Sequence, residues 1–207
     1  MNPRIAGPDL RFIKTIEMCA RYFIEEDLYD AIAEYPQEDG AGLRRTGDIR
    51  PSEEAPVLAV KDECIRMESV RWGYPGIGGK GLLINARAES VEEKYSFSEG
   101  IRKGRILIPA SGFYEWDPSK NRVAFRHPKE RALYLAGITG LFSGEKRFTI
   151  LTREANSSME GIHDRMPLLI PKERIGDWLF SEGYRELLGS SMPELSAFRE
   201  YEQLSLF

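Results

Sequence analysis

Cys19, in Met18-Cys19-Ala20-Arg21, carries a thiol that can form a covalent bond to an electrophilic carbon if a base assists it and the site is accessible. Its place just ahead of an apolar segment also suits a small buried hydrophobe. Glu115 lies inside the aromatic stretch Gly112-Phe113-Tyr114-Glu115-Trp116. A carboxylate buried among aromatics must be paired or protonated, which makes Glu115 a candidate acid or base; the alternative is a surface residue on the outer face of an edge strand. His163, in Gly161-Ile162-His163-Asp164-Arg165-Met166-Pro167, precedes another apolar stretch, whereas His127 stands in a turn beside Pro128 and Lys129. Asn85-Ala86-Arg87-Ala88-Glu89 ends an apolar strand. There Asn85 serves a site or closes the strand as a turn former, and Arg87 binds a ligand or pairs with Glu89 at the surface.

The elements that must position these residues are legible as patterns. Phe23 to Tyr35 places Ile24, Leu28, Ala31, Ile32 and Tyr35 at helical spacing, with acids near its start, and predicts a helix. Pro36 to Pro56, rich in Gly, Pro and charge and containing Arg44, Arg45 and Arg50, predicts a long surface loop. From Val57 the pattern turns strand-like: Val57 to Val60, Cys64 to Trp72, Leu82 to Asn85, Arg105 to Pro109, Phe113 to Trp116, Val123 to Arg126, Leu133 to Ile138 and Phe148 to Thr152. Helices are expected over Val91 to Lys103 and over Lys172 to Leu188, the latter broken around Gly183. The expected class is α+β, with mostly antiparallel strands in a barrel-like or sandwich core and flanking helices.

Composition narrows the function classes. The chain has 207 residues, 42% hydrophobic, enough for one compact domain. A net charge of -4 gives no overall basic field, so any nucleic-acid contact must come from a local patch. Two cysteines, Cys19 and Cys64, do not make a disulfide framework, and His127 and His163 stand apart without metal-ligand spacing, so no zinc site is expected. No apolar run reaches the roughly 18 residues that span a membrane, and residues 1–10 lack a secretory signal. The expectation is a cytoplasmic protein with reduced thiols.

The ordered motifs Met18-Cys19-Ala20-Arg21, Trp72-Gly73-Tyr74-Pro75, Asn85-Ala86-Arg87-Ala88-Glu89, Gly112 to Trp116 and His163 to Pro167 together resemble the SRAP family, named for SOS-response-associated peptidases and understood as abasic-site crosslinking proteins. The resemblance runs from Met18 to about Leu188. It implies that methionine removal leaves Cys19 as the N-terminal residue, with an amine and a thiol on adjacent carbons. The amine condenses with the aldehyde of a ring-opened abasic site to an imine, and the thiol closes a thiazolidine. By the same resemblance Cys19 is the nucleophile, Asn85 holds it and its adduct, Glu115 shuttles protons, and His163 is acid/base on the sugar oxygen. Arg21, Arg87 and Arg165 would grip phosphates, and Trp72 is a DNA-contact candidate with a core position as its alternative. The resemblance implies single-stranded DNA bearing abasic sites as the partner of a nucleoid-associated monomer that needs no metal or organic cofactor.

The sequence departs from the family pattern at both ends. Residues 1–17 precede Met18, and while they remain Cys19 has an amide in place of the free amine. A start at Met18, self-cleavage of the extension, or a thiol-only binder would each account for this; Met18 stands where the family begins, which favours the first. Ala20 replaces the usual Gly, and Gly76-Ile77-Gly78-Gly79 stands where relatives have an aromatic wedge. The expected organisation is an extension over residues 1–17, a catalytic domain over 18–190 and a tail over 191–207. Gln203-Leu204-Ser205-Leu206-Phe207 is similar to the pentapeptide that binds the bacterial β sliding clamp, with Gln203, Leu204, Leu206 and Phe207 as its contacts; a terminal segment packed on its own domain is the alternative. A cysteine peptidase using Cys19 and His163, and a non-catalytic DNA or clamp binder, are the rival functions.

Overall fold

The computed structural model describes residues 19–37 and 44–199. In chain order the strands are β1 (Tyr22–Ile24), β2 (Gly47–Ile49), β3 (Glu54–Lys61), β4 (Cys64–Trp72), β5 (Tyr74–Pro75), β6 (Leu82–Leu83) and β7 (Asn85–Arg87). They continue as β8 (Arg105–Ala110), β9 (Gly112–Trp116), β10 (Arg122–Arg126), β11 (Leu133–Phe142), β12 (Glu145–Glu154), β13 (Arg165–Pro167) and β14 (Ser196–Arg199). The α-helices are α1 (Leu28–Ala31), α2 (Tyr95–Lys103), α3 (Ile175–Phe180) and α4 (Tyr184–Leu188).

The α+β class holds. Strands β11, β8, β3, β4 and β12 pair in that order, and β11 pairs again with β12, so this sheet closes on itself as a small barrel. Closure removes the open edges that a flat sheet would expose. Pairing is mostly antiparallel, but β12 runs parallel to β4 and to β7. A second sheet, ordered β14-β10-β9-β1-β2, carries the N-terminal end of the described chain. One continuous core joins the two; Trp72, Trp178, Tyr22, Phe113 and Phe148 are among its fully buried side chains.

The strand expectations from Val57 to Thr152 fall on β3, β4, β6 to β12, with small shifts at the ends. The helix expected over 23–35 is corrected: Tyr22–Ile24 is a strand, and only Leu28–Ala31 is helical. Helical spacing there yields to long-range pairing, because Tyr22 and Phe23 form a ladder with Phe113 and Gly112 on one side and with Ile49 and Asp48 on the other. The expected loop over 36–56 contains β2 and the start of β3, and residues 38–43 of it lie outside the described residues. The helix expected from Val91 begins at Tyr95. The last helical region splits as expected, with Gly183 at the N-cap of α4. Within the expected tail, Ser196–Arg199 pairs with β10 as an edge strand, while the clamp-like segment 203–207 and the extension 1–17 lie outside the described residues.

Candidate active site

Glu115 is placed by strand alternation. On β9, Phe113 is 1% exposed and belongs to the main core, and Glu115, two residues on, points the same way. Tyr114 and Trp116 point outward, where they pack with Phe23 and Ala124. β9 lies between β10 and β1, so Glu115 is not on an edge strand; it is 2% exposed. Gly112 permits the close approach of β1 to β9, since a Cβ there would stand 2.4 Å from both the Phe125 carbonyl oxygen and Phe23 Cζ.

That approach delivers Cys19. Tyr114 N–H donates to the Arg21 carbonyl at 2.9 Å and Ser111 N–H to the Phe23 carbonyl at 2.9 Å, which pins the chain just after the cysteine. Cys19 has φ 45°, in the left-handed region, a conformation that costs a non-glycine residue about 1–3 kcal/mol and is held by its surroundings. Its backbone N–H donates to Glu115 Oε1 at 2.5 Å, and its thiol also hydrogen-bonds to Glu115. The nitrogen is an amide in this chain; it occupies the place that an α-amine would hold if Cys19 were N-terminal.

Electrostatics sets the protonation of this pair. Burial raises the Glu115 carboxyl above the ordinary glutamate range, opposed by the hydrogen bonds from Cys19 and by the charge of His163. Burial, and then the negative charge of Glu115, pushes the Cys19 thiol well up, with Arg165 acting the other way. Cys19 is therefore a thiol at neutral pH. A thiolate-imidazolium pair of the kind a cysteine peptidase uses is not favoured here.

The remaining groups approach around β12. Asn85 pairs with Ile150 and Arg87 with Thr152 in parallel register on one side, and Arg165 pairs with Glu154 on the other. Side chains at paired positions share a face, so Asn85, Arg87, Thr152 and Arg165 lie on one face of the sheet. A cleft of about 760 Å³ opens beside them, lined by residues that include Arg87, Asn156, His163, Asp164 and Arg165. His163 Nδ1 accepts the Arg165 backbone N–H at 3.0 Å. Asp164 Oδ1 lies 3.0 Å from the same Nδ1.

The arginines differ in their availability. Arg87 is exposed at the cleft and makes no ion pair among the described residues. Arg21 stacks over Trp116 at 5.3 Å and lies 3.4 Å from Asp48. Arg165 is 7% exposed and forks onto Glu89, Nη1 to Oε1 at 2.6 Å and Nη2 to Oε2 at 2.8 Å, with Nη2 also donating to the Thr152 carbonyl at 2.7 Å. Glu89 thus pairs with Arg165, not with Arg87. Trp72, the DNA-contact candidate, is corrected to a core residue: it is 0% exposed, its Nε1–H donates to the Ile84 carbonyl at 3.0 Å, and its ring stacks on Phe148. Nothing in the sequence marks Asp48 as a partner of Arg21, and the one signal at Glu89, its place two residues after Arg87, points to Arg87.

The fold thus sets a buried cysteine against a buried carboxyl group, and His163, Arg87 and Arg165 line a cleft. The chain belongs to the SOS response associated peptidase (SRAP) family, whose model matches residues 18–201. It is similar to the abasic site processing protein YoqW of Bacillus subtilis, with 31% identity over 183 residues covering 78% of this chain and 80% of that protein. It also matches the abasic site processing protein YedK of Escherichia coli, at 29% identity covering 72% and 69%. A crystal structure of a Bacteroides thetaiotaomicron protein shares the fold at TM-score 0.75 and 22% identity, covering 89% of this chain and 93% of that one. Among the described residues no helix is long and apolar enough to cross a membrane.

Proposed function

We propose that this protein processes abasic sites in single-stranded DNA by forming a covalent thiazolidine through Cys19 as an N-terminal residue. The observation that carries the reading is the 2.5 Å contact between the Cys19 nitrogen and Glu115 Oε1. A proton must leave the attacking amine and one must reach the departing water as amine and aldehyde condense to an imine. An acid whose affinity for protons is raised toward neutrality, in direct contact with that nitrogen, suits both transfers. The Cys19 thiol then adds across the C=N bond, its proton passing to the nitrogen, and closes a five-membered ring without loss of any further group. A neutral thiol is adequate, because the second step is intramolecular.

The other residues take roles around that step. His163 donates from Nε2 to the sugar oxygen as the ring opens. Asn85 orients the cysteine and its adduct. Arg87 and Arg21 meet the flanking phosphates, as does Arg165 to the extent that its fork onto Glu89 leaves N–H groups over. The chemistry requires that the residues before Cys19 be absent, by initiation at Met18 or by cleavage. On sequence alone, Gln203 to Phe207 would bring the protein to a sliding clamp, in the cytoplasm at replicating DNA.

Incubation of protein begun at Met18, with a verified N-terminal cysteine, and a single-stranded oligonucleotide bearing one abasic site should give a heat-stable band on a denaturing gel. Cys19→Ala should abolish it. Absence of the band from this Met18-start protein would overturn the proposal, and cleavage of peptides without DNA would point to the peptidase in its place.

A further inference from the structure

The Asn85-Ala86-Arg87-Ala88-Glu89 and His163-Asp164-Arg165 segments flank β12 from opposite sides, and the Glu89–Arg165 fork is a side-chain tie between them. Both ends of the tie are constrained. At one end, the Arg165 guanidinium holds the Glu89 carboxyl below the usual carboxylate range. Arg165 is nearly buried, spends Nη2 on the Thr152 carbonyl as well, and keeps its Nε without a hydrogen-bond partner among the described residues. A guanidinium buried with one acid partner has nowhere else to settle, so removing the acid leaves an uncompensated charge that must move.

Arg165 is also the residue through which the site's parts meet. Its backbone N–H fixes the His163 ring, and its charge reaches the Cys19 thiol. From this geometry we infer that Glu89 is a positioning residue for the reaction, acting through Arg165: it fixes the residue whose backbone holds the His163 ring and couples the Asn85 segment to the His163 segment. The inference rests on the proposed crosslinking reaction for its consequence, and on the fork alone for its mechanism.

A double-mutant cycle separates this role from a purely structural one. Crosslinking rates at saturating oligonucleotide would be measured for Glu89→Gln, Arg165→Gln and the double variant. Glu89→Gln should slow the reaction about 10-fold, because small misplacement of reacting groups costs up to about 100-fold. In the Arg165→Gln background the same change should alter the rate by less than about 2-fold, the mark of strong coupling. Glu89→Asp, which keeps a carboxylate, should recover part of the rate and provides a folded variant if Glu89→Gln unfolds. Independent, additive effects would overturn the inference, as would a rate loss that merely tracks the folded fraction seen by circular dichroism. Should the protein begun at Met18 fail to crosslink, the proposed reaction falls, and the same cycle is read on alkylation of Cys19 in the full chain carrying Cys64→Ser. Coupling there supports the Glu89–Arg165–Cys19 link, and additivity removes it.

Discussion

The backbone nitrogen of Cys19 donates to Glu115 Oε1 at 2.5 Å, across 96 residues of sequence. One carboxyl thus touches both the nitrogen and the thiol of a single residue, the two atoms that must form bonds in succession. The register that brings them together is set by the short ladder between β1 and β9.

Replacing Glu115 by Gln keeps an acceptor near Cys19 and removes the transferable proton. The crosslinking rate should fall by about 10²-fold or more, the usual scale of general acid–base assistance, with little change in affinity for the oligonucleotide. Single-turnover gels at saturating DNA check this; an unchanged rate would remove Glu115 from the chemistry.

Glu115 also gives stability a pH dependence of definite sign. Its folded-state affinity for the proton is raised, so the folded protein binds more protons than the unfolded one between the ordinary glutamate pKa and the raised value. Its contribution is therefore fully present below the unfolded pKa and is lost as pH rises through the folded one, each tenfold gain in proton affinity being worth about 1.4 kcal/mol. Glu115→Gln should raise the unfolding midpoint at neutral pH relative to the unmodified protein, with the difference shrinking near pH 4. A difference that grows on acidification would contradict the assignment.

Trp72→Ala should cost about 3–5 kcal/mol, the scale for a large aromatic removed from a packed core. It should leave the salt dependence of DNA binding unaltered in the variant that remains folded, because the ring never meets solvent. Urea unfolding and binding measured at several salt concentrations test the two halves separately.

Arg87→Gln, at the exposed wall of the cleft, should weaken binding of single-stranded oligonucleotides uniformly across sequences and reduce the slope of log affinity against log salt by about 1. Arg21→Gln should act in the same direction more weakly, since Asp48 and Trp116 already engage that side chain. Equal slopes for Arg87→Gln and the unmodified protein would remove Arg87 from phosphate contact.

Deleting Gln203 to Phe207 should abolish binding to a β sliding clamp in a pull-down with purified components and leave crosslinking in solution intact. Retained clamp binding would refute the assignment of the tail.

The sequence by itself determined the motif set, the α+β class and most strands from Val57 onward, because alternation, turn residues and the pairing of unusual residue types are local properties. It did not determine direction. The alternation in Phe113-Tyr114-Glu115-Trp116 defines two faces, but only packing against β1 and β10 made the Glu115 face the inner one and left Tyr114 and Trp116 to a small outer cluster. The same holds for Trp72, whose ring is buried against Tyr22 and Phe148 from distant strands, and for Glu89, whose nearest cation in sequence is Arg87 but whose partner in the fold is Arg165. Tyr22 to Ile24 is a strand despite its helix-like spacing because a short segment's local periodicity is weaker than two ladders formed with distant strands. Local chemistry is written in residue types; which groups meet, and with what charge, is fixed by contacts that only the folded chain brings within a few ångströms.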